Sequence, residues 1–174
     1  MKFYKVSTYD NKKINIPVRK TKESAGYDFE VAADTMIPSY LKLMKQFEEK
    51  NVGAMTFQNM QKATKMYNIK PTLVPTGIKC EIDPGWFLQL SVRSSCPLKS
   101  WLVLANGVGI IDGDYYNNPD NEGEIFFQII NLSPYDILVQ KGDIIGQGVF
   151  LPYGKIDEDN STEVRIGGFG STDG

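Results

Sequence analysis

The chain has 174 residues, which is enough for one domain with a sizeable core and too few for two comfortable ones. Its 19 basic and 21 acidic side chains give a net charge of −2, so it lacks the overall positive field that holds nucleic acid. It contains no histidine, which excludes Ser-His and Cys-His nucleophiles and removes the commonest zinc ligand, so any chemistry must use carboxylates.

Most of the chain is predicted to form short strands, because apolar and β-branched runs recur between turn residues at 83–85, 106–107, 133–134 and 141–142. The pattern is typical of a β-sandwich or barrel. The run Ile125–Ile130 is nearly continuous in apolar residues, so we expect both of its faces to be covered, with another subunit as one candidate cover. The predicted strands are Phe3–Tyr9, Tyr27–Val31, Thr72–Val74, Ile78–Ile82, Trp86–Val92, Leu102–Leu104, Glu124–Asn131, Ile137–Val139 and Asp143–Leu151.

The segment 36–70 breaks the strand pattern. Its apolar residues recur at helical spacing, which predicts two short helices separated by a stop signal at 51–53. Ser39 and Thr56 are suitable N-caps for these helices. We interpret the segment as a surface helical hairpin that packs on the sheet. A lid or a surface for a protein partner is the alternative, because five of the six methionines lie here and methionine adapts to variable contacts.

The stretch from Asn106 to Tyr115 predicts a binding pocket, because it places a carboxylate and an aromatic ring on a glycine-rich turn between apolar runs. Gly107 and Gly109 lack Cβ atoms, so backbone N–H and C=O groups can approach a flat ligand edge. Asp112 follows an apolar pair, so we expect a partly desolvated carboxylate that suits a general base. An ordinary hairpin with a surface aspartate is the alternative interpretation.

Four other segments carry polar groups that suit an anionic ligand. Residues 93–95 offer an arginine and two hydroxyls, which phosphate oxygens accept. Residues 24–29 place a carboxylate at the start of a strand, and residues 142–147 place a glutamine after a glycine turn. Residues 165–174 carry an arginine, a lone phenylalanine and a Ser-Thr pair on glycine-rich backbone, which suits an arm that folds over a nucleotide. A loose chain end is the alternative for this last segment.

Two cysteines and the lack of a long apolar run indicate the compartment. Cys80 and Cys96 fit no metal spacing and make no disulfide framework, so we expect core thiols in a reducing cytoplasm. No apolar run reaches the length of a membrane span, and residues 1–5 lack the apolar core of a signal peptide. We therefore predict a cytoplasmic protein without membrane or nucleic-acid partners.

Five of these segments, in this order, resemble the sequence motifs of the trimeric dUTPase family, which hydrolyses dUTP to dUMP and pyrophosphate. The resemblance spans residues 24–172 and implies a mainly β fold, a jelly-roll-like barrel or sandwich. It implies a single domain over 1–174, with a helical insertion at about 36–70 and a mobile C-terminal arm at 157–174. The matching segments are Ala25–Asp28, Arg93–Ser95, Gly109–Tyr115, Gly142–Gln147 and Arg165–Thr172.

The resemblance implies a role for each matching side chain. Asp112 would be the general base that takes a proton from the water attacking the α-phosphorus, and Tyr115 would lie against the deoxyribose. Asp28 would act indirectly, by ordering Arg93 or a metal-bound water. Mg²⁺ would be held mainly by the substrate phosphates and water, with no protein ligand. The implied uracil-binding residues are Asn106, Gly109, Ile110, Ile111 and Phe126, the phosphate-binding residues are Arg93, Ser94, Ser95 and Gln147, and the residues of the closing arm are Arg165, Phe169, Gly170, Ser171 and Thr172.

The family's active sites lie between the subunits of a homotrimer, so the resemblance implies shared sites here as well. Two features depart from the family pattern: the helical segment 36–70 and the inserted residues 116–122 between Tyr115 and Gly123. Two other functions stay open. One is a dCTP deaminase of the related fold, and the other is a nucleotide-switched regulatory protein that uses 36–70 as its docking surface.

Overall fold

The computed structural model describes residues 1–48, 56–159 and 161, and within them the chain is mainly β, as predicted. None of the helices in this part of the chain is long and apolar enough to cross a membrane. The strands are β1 (Lys2–Lys5), β2 (Tyr27–Glu30), β3 (Thr35–Ile37), β4 (Thr72–Pro75), β5 (Ile78–Glu81), β6 (Trp86–Val92), β7 (Leu102–Leu104), β8 (Gly109–Ile111), β9 (Phe126–Asn131), β10 (Ile137–Val139) and β11 (Ile144–Pro152), and the helices are α1 (Tyr40–Glu48) and α2 (Phe57–Met66).

The strands form two larger antiparallel sheets around one core. The first sheet has the order β2-β11-β6-β8 and the second has the order β4-β9-β7. Two-stranded pairs, β1 with β5 and β3 with β10, complete the jelly-roll-like arrangement. The facing side chains of the two sheets meet in the core, where Phe29 of β2 and Phe127 of β9 make an edge-to-face contact with ring centroids 5.7 Å apart. Both rings are fully buried, so burial of apolar surface holds the sheets together.

Strand β9 is covered on one face only in the single chain. Phe127 and Ile129 are buried, whereas Phe126, Gln128 and Ile130 on the opposite face are partly exposed. The prediction that both faces of this strand are covered is therefore confirmed only for the face that points into the core. The alternation follows from the two-residue period of a strand, and the outer face stays available to another subunit.

The predicted helical segment is confirmed, together with its N-caps. Ser39 Oγ accepts a hydrogen bond from Lys42 N at 3.3 Å, and Thr56 Oγ1 accepts one from Asn59 N at 3.2 Å. Phe47 of α1 packs edge-to-face on Tyr67, with ring centroids 5.6 Å apart. This contact joins the two helices. The predicted stop signal at 51–53 lies outside the described residues.

The strand predicted at Phe3–Tyr9 is too long. It ends at Lys5, and Ser7–Tyr9 form a 3-10 helix instead. Tyr9 is buried beneath Gly77, where a Cβ would lie 3.1 Å from the Tyr9 ring. Burial of this ring therefore turns the chain away from the sheet. Strands β3 and β8 were not predicted, because β3 overlaps the start of the predicted helical segment and β8 begins with a glycine in a glycine-rich turn.

The two cysteines are free, buried thiols, as predicted. Burial raises the pKa of the Cys80 thiol to about 12. The thiolate is the reactive form, so this group is inert at neutral pH.

Candidate active site

A row of polar side chains crosses three adjacent strands of the first sheet. Gln147 of β11 stands opposite Asp28 of β2 on one side and opposite Ser91 of β6 on the other. Residues directly opposite each other share a face of the sheet, and Arg93 continues the Ser91 face two positions along the chain. Gln147 Nε2 donates to Ser91 Oγ at 3.4 Å. We call Asp28, Ser91, Arg93 and Gln147 the polar row.

The Asp28 carboxylate is the buried end of the polar row. Its side chain is 8% exposed, and its Oδ1 atom lies 3.7 Å from Nε of Arg93, which is 40% exposed. Its Oδ2 atom is buried and has no hydrogen-bond partner within the described chain. A buried carboxylate oxygen is costly to leave unpaired, so Oδ2 is a site where a water or a ligand donor fits.

Gly26 explains how the Gln147 amide reaches the polar row. A Cβ at Gly26 would lie 2.4 Å from Gln147 Oε1. The missing side chain therefore provides the space that the amide occupies. This contact links the first matching segment of the sequence to the fourth.

The segment from β7 to β8, which we call the hairpin although its two strands pair with different neighbours, connects the two sheets. Strand β7 belongs to the three-stranded sheet and β8 is the edge strand of the four-stranded sheet. Gly107 has a φ of +72° in the turn, and its N–H donates to Leu104 O at 3.1 Å. Gly109 packs on Leu90, where a Cβ would lie 3.1 Å from the Leu90 side chain. Backbone of the edge strand is thereby presented beside an exposed Ile110.

Asp112 follows β8 as the N-cap of a 3-10 helix that spans Gly113–Tyr115. The Asp112 carbonyl accepts the Tyr115 N–H at 3.2 Å. Asp112 is exposed in the single chain, so the expected partial desolvation of its carboxylate is absent there. The apolar pair before it, Ile110 and Ile111, does not cover the carboxylate, because Ile111 points into the core and Ile110 points outward.

The single chain keeps Asp112 away from the polar row. Strand β8 pairs with β6 so that Ile111 stands opposite Leu88, which places Asp112 level with Phe87. The Arg93 end of β6 is six residues further along, which is about 20 Å at about 3.3 Å per residue. The structure therefore divides the predicted site residues into two groups, one at the hairpin and one at the polar row.

The remaining predicted residues fall near one of these two groups. Ser94 and Ser95 are exposed directly after Arg93. The pairing of β7 with β9 continues through Ala105 N, which donates to Gln128 O at 2.8 Å and brings the hairpin turn level with Phe126. Asn106 is exposed in that turn. The predicted arm residues Arg165, Phe169, Gly170, Ser171 and Thr172 lie outside the described residues.

The inserted residues after Tyr115 form an ordered loop, which we call the 116–123 loop. Asn118 is buried, and its side chain makes four hydrogen bonds with three neighbours in and beside the loop, Tyr115, Asp120 and Asn121. Asn121 Nδ2 donates to the Tyr115 hydroxyl at 2.9 Å. Sequence reasoning missed Ser91, Asn118 and Asn121. The available signals were the two-residue spacing from Ser91 to Arg93 and the Asn- and Asp-rich composition of the loop, which favours side-chain-to-backbone turns.

Glu122 ties the loop to the first part of the chain. Its carboxylate accepts hydrogen bonds from the Ser7 hydroxyl and from Ser7 N, and its Oε2 atom lies 2.9 Å from Lys79 Nζ. The Ser7 hydroxyl first, and the Lys79 ammonium second, hold the pKa of Glu122 at about 2. The charged form is therefore favoured by folding.

Replacement of Glu122 by glutamine is expected to lower the melting temperature at neutral pH and to have less effect in acid. Because the folded pKa is depressed, the stabilisation is present above the ordinary value of 4.5 and is lost as the pH falls toward about 2. Thermal unfolding of both proteins between about pH 7 and pH 3 measures this difference. A constant difference over that range would contradict the assignment.

The fold and the two groups define a class: a mainly β protein that presents a backbone edge beside a carboxylate, and an arginine–amide row suited to phosphate oxygens. The dUTPase family model matches residues 59–173. A deoxyuridine 5'-triphosphate nucleotidohydrolase of Lactococcus lactis is 41% identical over 174 residues, which cover 98% of this chain and 95% of that protein.

Solved structures agree with this class. The dUTPase of Streptococcus mutans is 38% identical, with a TM-score of 0.69 over 89% of this chain and 98% of that one. The dUTPase from phage phi11 of S. aureus is 17% identical, and its TM-score of 0.62 over 93% of this chain and 96% of that one shows the shared fold. The chain belongs to the dUTPase family.

Proposed function

We propose that the chain hydrolyses dUTP to dUMP and pyrophosphate by in-line attack of a water molecule on the α-phosphorus, with Asp112 as the general base. Family membership and the identity to the lactococcal enzyme support the substrate and the reaction. The observation that carries the mechanism is the position of Asp112, which directly follows an edge strand whose backbone suits a flat base. Substrate recognition and water activation then come from one continuous element.

The hairpin accounts for selection of uracil. Backbone N–H and C=O groups near Gly109 and Ile110 would pair with the uracil edge, and Asn106 and Phe126 lie at the same end of the hairpin. These donors and acceptors are fixed by the strand, so the exocyclic amine of cytosine would face another donor. An unpaired contact of this kind in a closed site discriminates by orders of magnitude.

The polar row accounts for binding of the triphosphate. Arg93 offers a planar cation, and Gln147, Ser94 and Ser95 offer neutral donors at the same end of the sheet. Mg²⁺ neutralises phosphate charge when it is bound. The buried, unpaired Oδ2 of Asp28 fits a hydrogen bond from a metal-bound water, in agreement with a cation held mainly by phosphates and water. The arm residues Arg165, Phe169, Gly170, Ser171 and Thr172 would close over the bound nucleotide.

The distance between the two groups supports a site that is shared between subunits of a homotrimer. A general base must lie within about 3 Å of the water that it activates, and that water must reach the α-phosphorus. One chain keeps Asp112 about 20 Å from the Arg93 end of β6, so in the proposed trimer the hairpin of one subunit would meet the polar row of another. Contact with a neighbour would also cover Asp112 and the outer face of β9.

Three further predictions accompany the proposal. Residues 1–174 would form one domain with an arm at 157–174, and the buried free thiols support a cytoplasmic location. The helical segment 36–70 leaves Phe57 and Met66 exposed at 78% and 79%, so a surface for a protein partner there stays a prediction.

A panel of deoxynucleoside triphosphates tests the proposed function. Purified protein with Mg²⁺ is expected to release pyrophosphate from dUTP at least about 10²-fold faster than from dCTP or dTTP, because the hairpin fixes the donor pattern. Ammonia release from dCTP is measured in parallel. Deamination of dCTP without cleavage of dUTP would contradict the proposed hydrolase function and show that the chain is a deaminase. Nucleotide binding without turnover would favour the regulatory alternative.

A further inference from the structure

We propose that the 116–123 loop is a positioning device for Tyr115, and that Asn121 is the positioning residue that holds the Tyr115 ring where it excludes a ribose 2′-hydroxyl. The inference rests on the proposed function and on the role that the family resemblance implies for Tyr115, whose ring would lie against the deoxyribose. It adds a specificity-determining residue that none of the matching sequence segments contains.

The Tyr115 hydroxyl is held from two sides. It donates to Glu124 O at 2.9 Å, and it accepts from Asn121 Nδ2 at 2.9 Å. The side chain is 4% exposed, so these bonds are shielded from water. A ring fixed at its far end cannot tilt without breaking one of the two bonds.

The orientation of the Asn121 amide is determined by its other contacts. Its Oδ1 atom accepts from Asn118 Nδ2 at 2.7 Å and from Gly123 N at 3.0 Å. Both of these partners are donors, so the oxygen must face them and the NH₂ group must face the Tyr115 hydroxyl. Asn118 Nδ2 also donates to Tyr115 O at 3.1 Å, which closes the network onto the same tyrosine.

The backbone of the loop is built to return onto Tyr115. Asn117 and Glu122 have positive φ values of 57° and 59°, and Gly123 has a φ of 80°. A Cβ at Gly123 would lie 2.5 Å from Tyr115 O. Only glycine allows this approach, so the loop is packed directly on the residue that it holds.

Contacts outside the loop prevent it from relaxing. Glu122 is bound to Ser7 and Lys79, and Lys79 Nζ also donates to Asn117 Oδ1 at 2.7 Å. The loop is therefore fixed to β5 and to the 3-10 helix after β1 on one side, and to Tyr115 on the other. A rigid loop of this kind restricts movement of the Tyr115 ring. A ring held in one position can exclude a larger substrate by steric clash.

The expected consequence is a change in sugar specificity. A 2′-hydroxyl can be accepted only if the ring withdraws, so loosening the ring should help UTP and leave dUTP almost unaffected. A loop with a purely structural role would instead change the melting temperature and leave the ratio of the two substrates constant.

Asn121→Asp is the sharpest test. The carboxylate keeps an acceptor for Asn118 and Gly123 but cannot donate to the Tyr115 hydroxyl, whose single proton already serves Glu124 O. We expect the ratio of kcat/KM for dUTP to that for UTP to fall by about tenfold. The added negative charge weakens both triphosphates alike and cancels in the ratio.

Tyr115→Phe completes a double-mutant cycle and also serves if Asn121→Asp does not fold. It removes the hydroxyl that accepts the hydrogen bond from Asn121, so we expect a similar fall in the ratio of kcat/KM values. The double variant should be within about twofold of either single variant. A ratio that stays within about twofold of wild type in both single variants overturns the positioning role alone. Wild-type protein without preference for dUTP over UTP would instead contradict the proposed role of Tyr115 itself.

Discussion

Asp112→Asn is expected to lower kcat for dUTP hydrolysis by about 10³-fold or more, because loss of a general base typically costs about 10²–10⁴-fold and no histidine is present to replace it. Asparagine keeps the size of the side chain and removes its basicity. Binding of dUTP should stay within about threefold of wild type or improve, since the variant removes a negative charge near a triphosphate. Single-turnover kinetics and equilibrium titration separate the two quantities.

Asp120→Asn is the matched control for this experiment. Asp120 is an exposed aspartate of the neighbouring 116–123 loop, so the substitution makes the same change of charge without removing the proposed base. Its turnover should stay within about twofold of wild type. Equal losses in the two variants would mean that net charge, and not proton transfer by Asp112, controls the rate.

Gly146→Ala is expected to give the largest loss of stability, about 3 kcal/mol in the free energy of unfolding, which is the upper part of the range for overpacking. A Cβ at this position would lie 2.1 Å from Phe127 Cε1 and 2.7 Å from Ser91 O. Phe127 is fully buried and Ser91 O is backbone, so neither can move away cheaply. Urea unfolding at a fixed protein concentration measures the loss.

The effect should extend to the polar row, because Gly146 directly precedes Gln147 and lies at a register shift between β11 and β2. A higher KM for dUTP is therefore expected in the folded variant. Gly154→Ala is the control, since a Cβ there meets nothing within 4 Å. Similar stabilities for the two variants would show that β11 can adjust, and that close packing at Gly146 does not fix the position of Gln147.

Local patterns in the sequence were sufficient to predict many of the strands and both helices. The run Trp86–Val92 alternates and forms β6 with the predicted bounds, and the capping residues Ser39 and Thr56 begin α1 and α2 where predicted. Strand β8 could not be recognised, because it has three residues and one of them is a glycine. Its existence depends on pairing with β6, which is a property of distant residues.

The chemical groups of the candidate site are visible in the sequence, but their arrangement in space is not. Matching segments identified Asp28, Arg93 and Gln147, and cross-strand register brings them together. The same register keeps Asp112 away from them, which no local pattern can reveal. The hydrogen bond from Asn121 to Tyr115 was also invisible, since it depends on how the intervening loop closes. Sequence identifies chemical groups, whereas strand pairing decides which of them meet.

Identifying the phosphorus that water attacks tests the proposed mechanism most directly. A single turnover of dUTP in water enriched in the heavy oxygen isotope places the label on the phosphorus that water attacks. Mass spectrometry of the products should find the label in dUMP and none in pyrophosphate, because the proposed mechanism has the water activated by Asp112 attack the α-phosphorus. Label in pyrophosphate would mean attack at the β-phosphorus and would contradict the account.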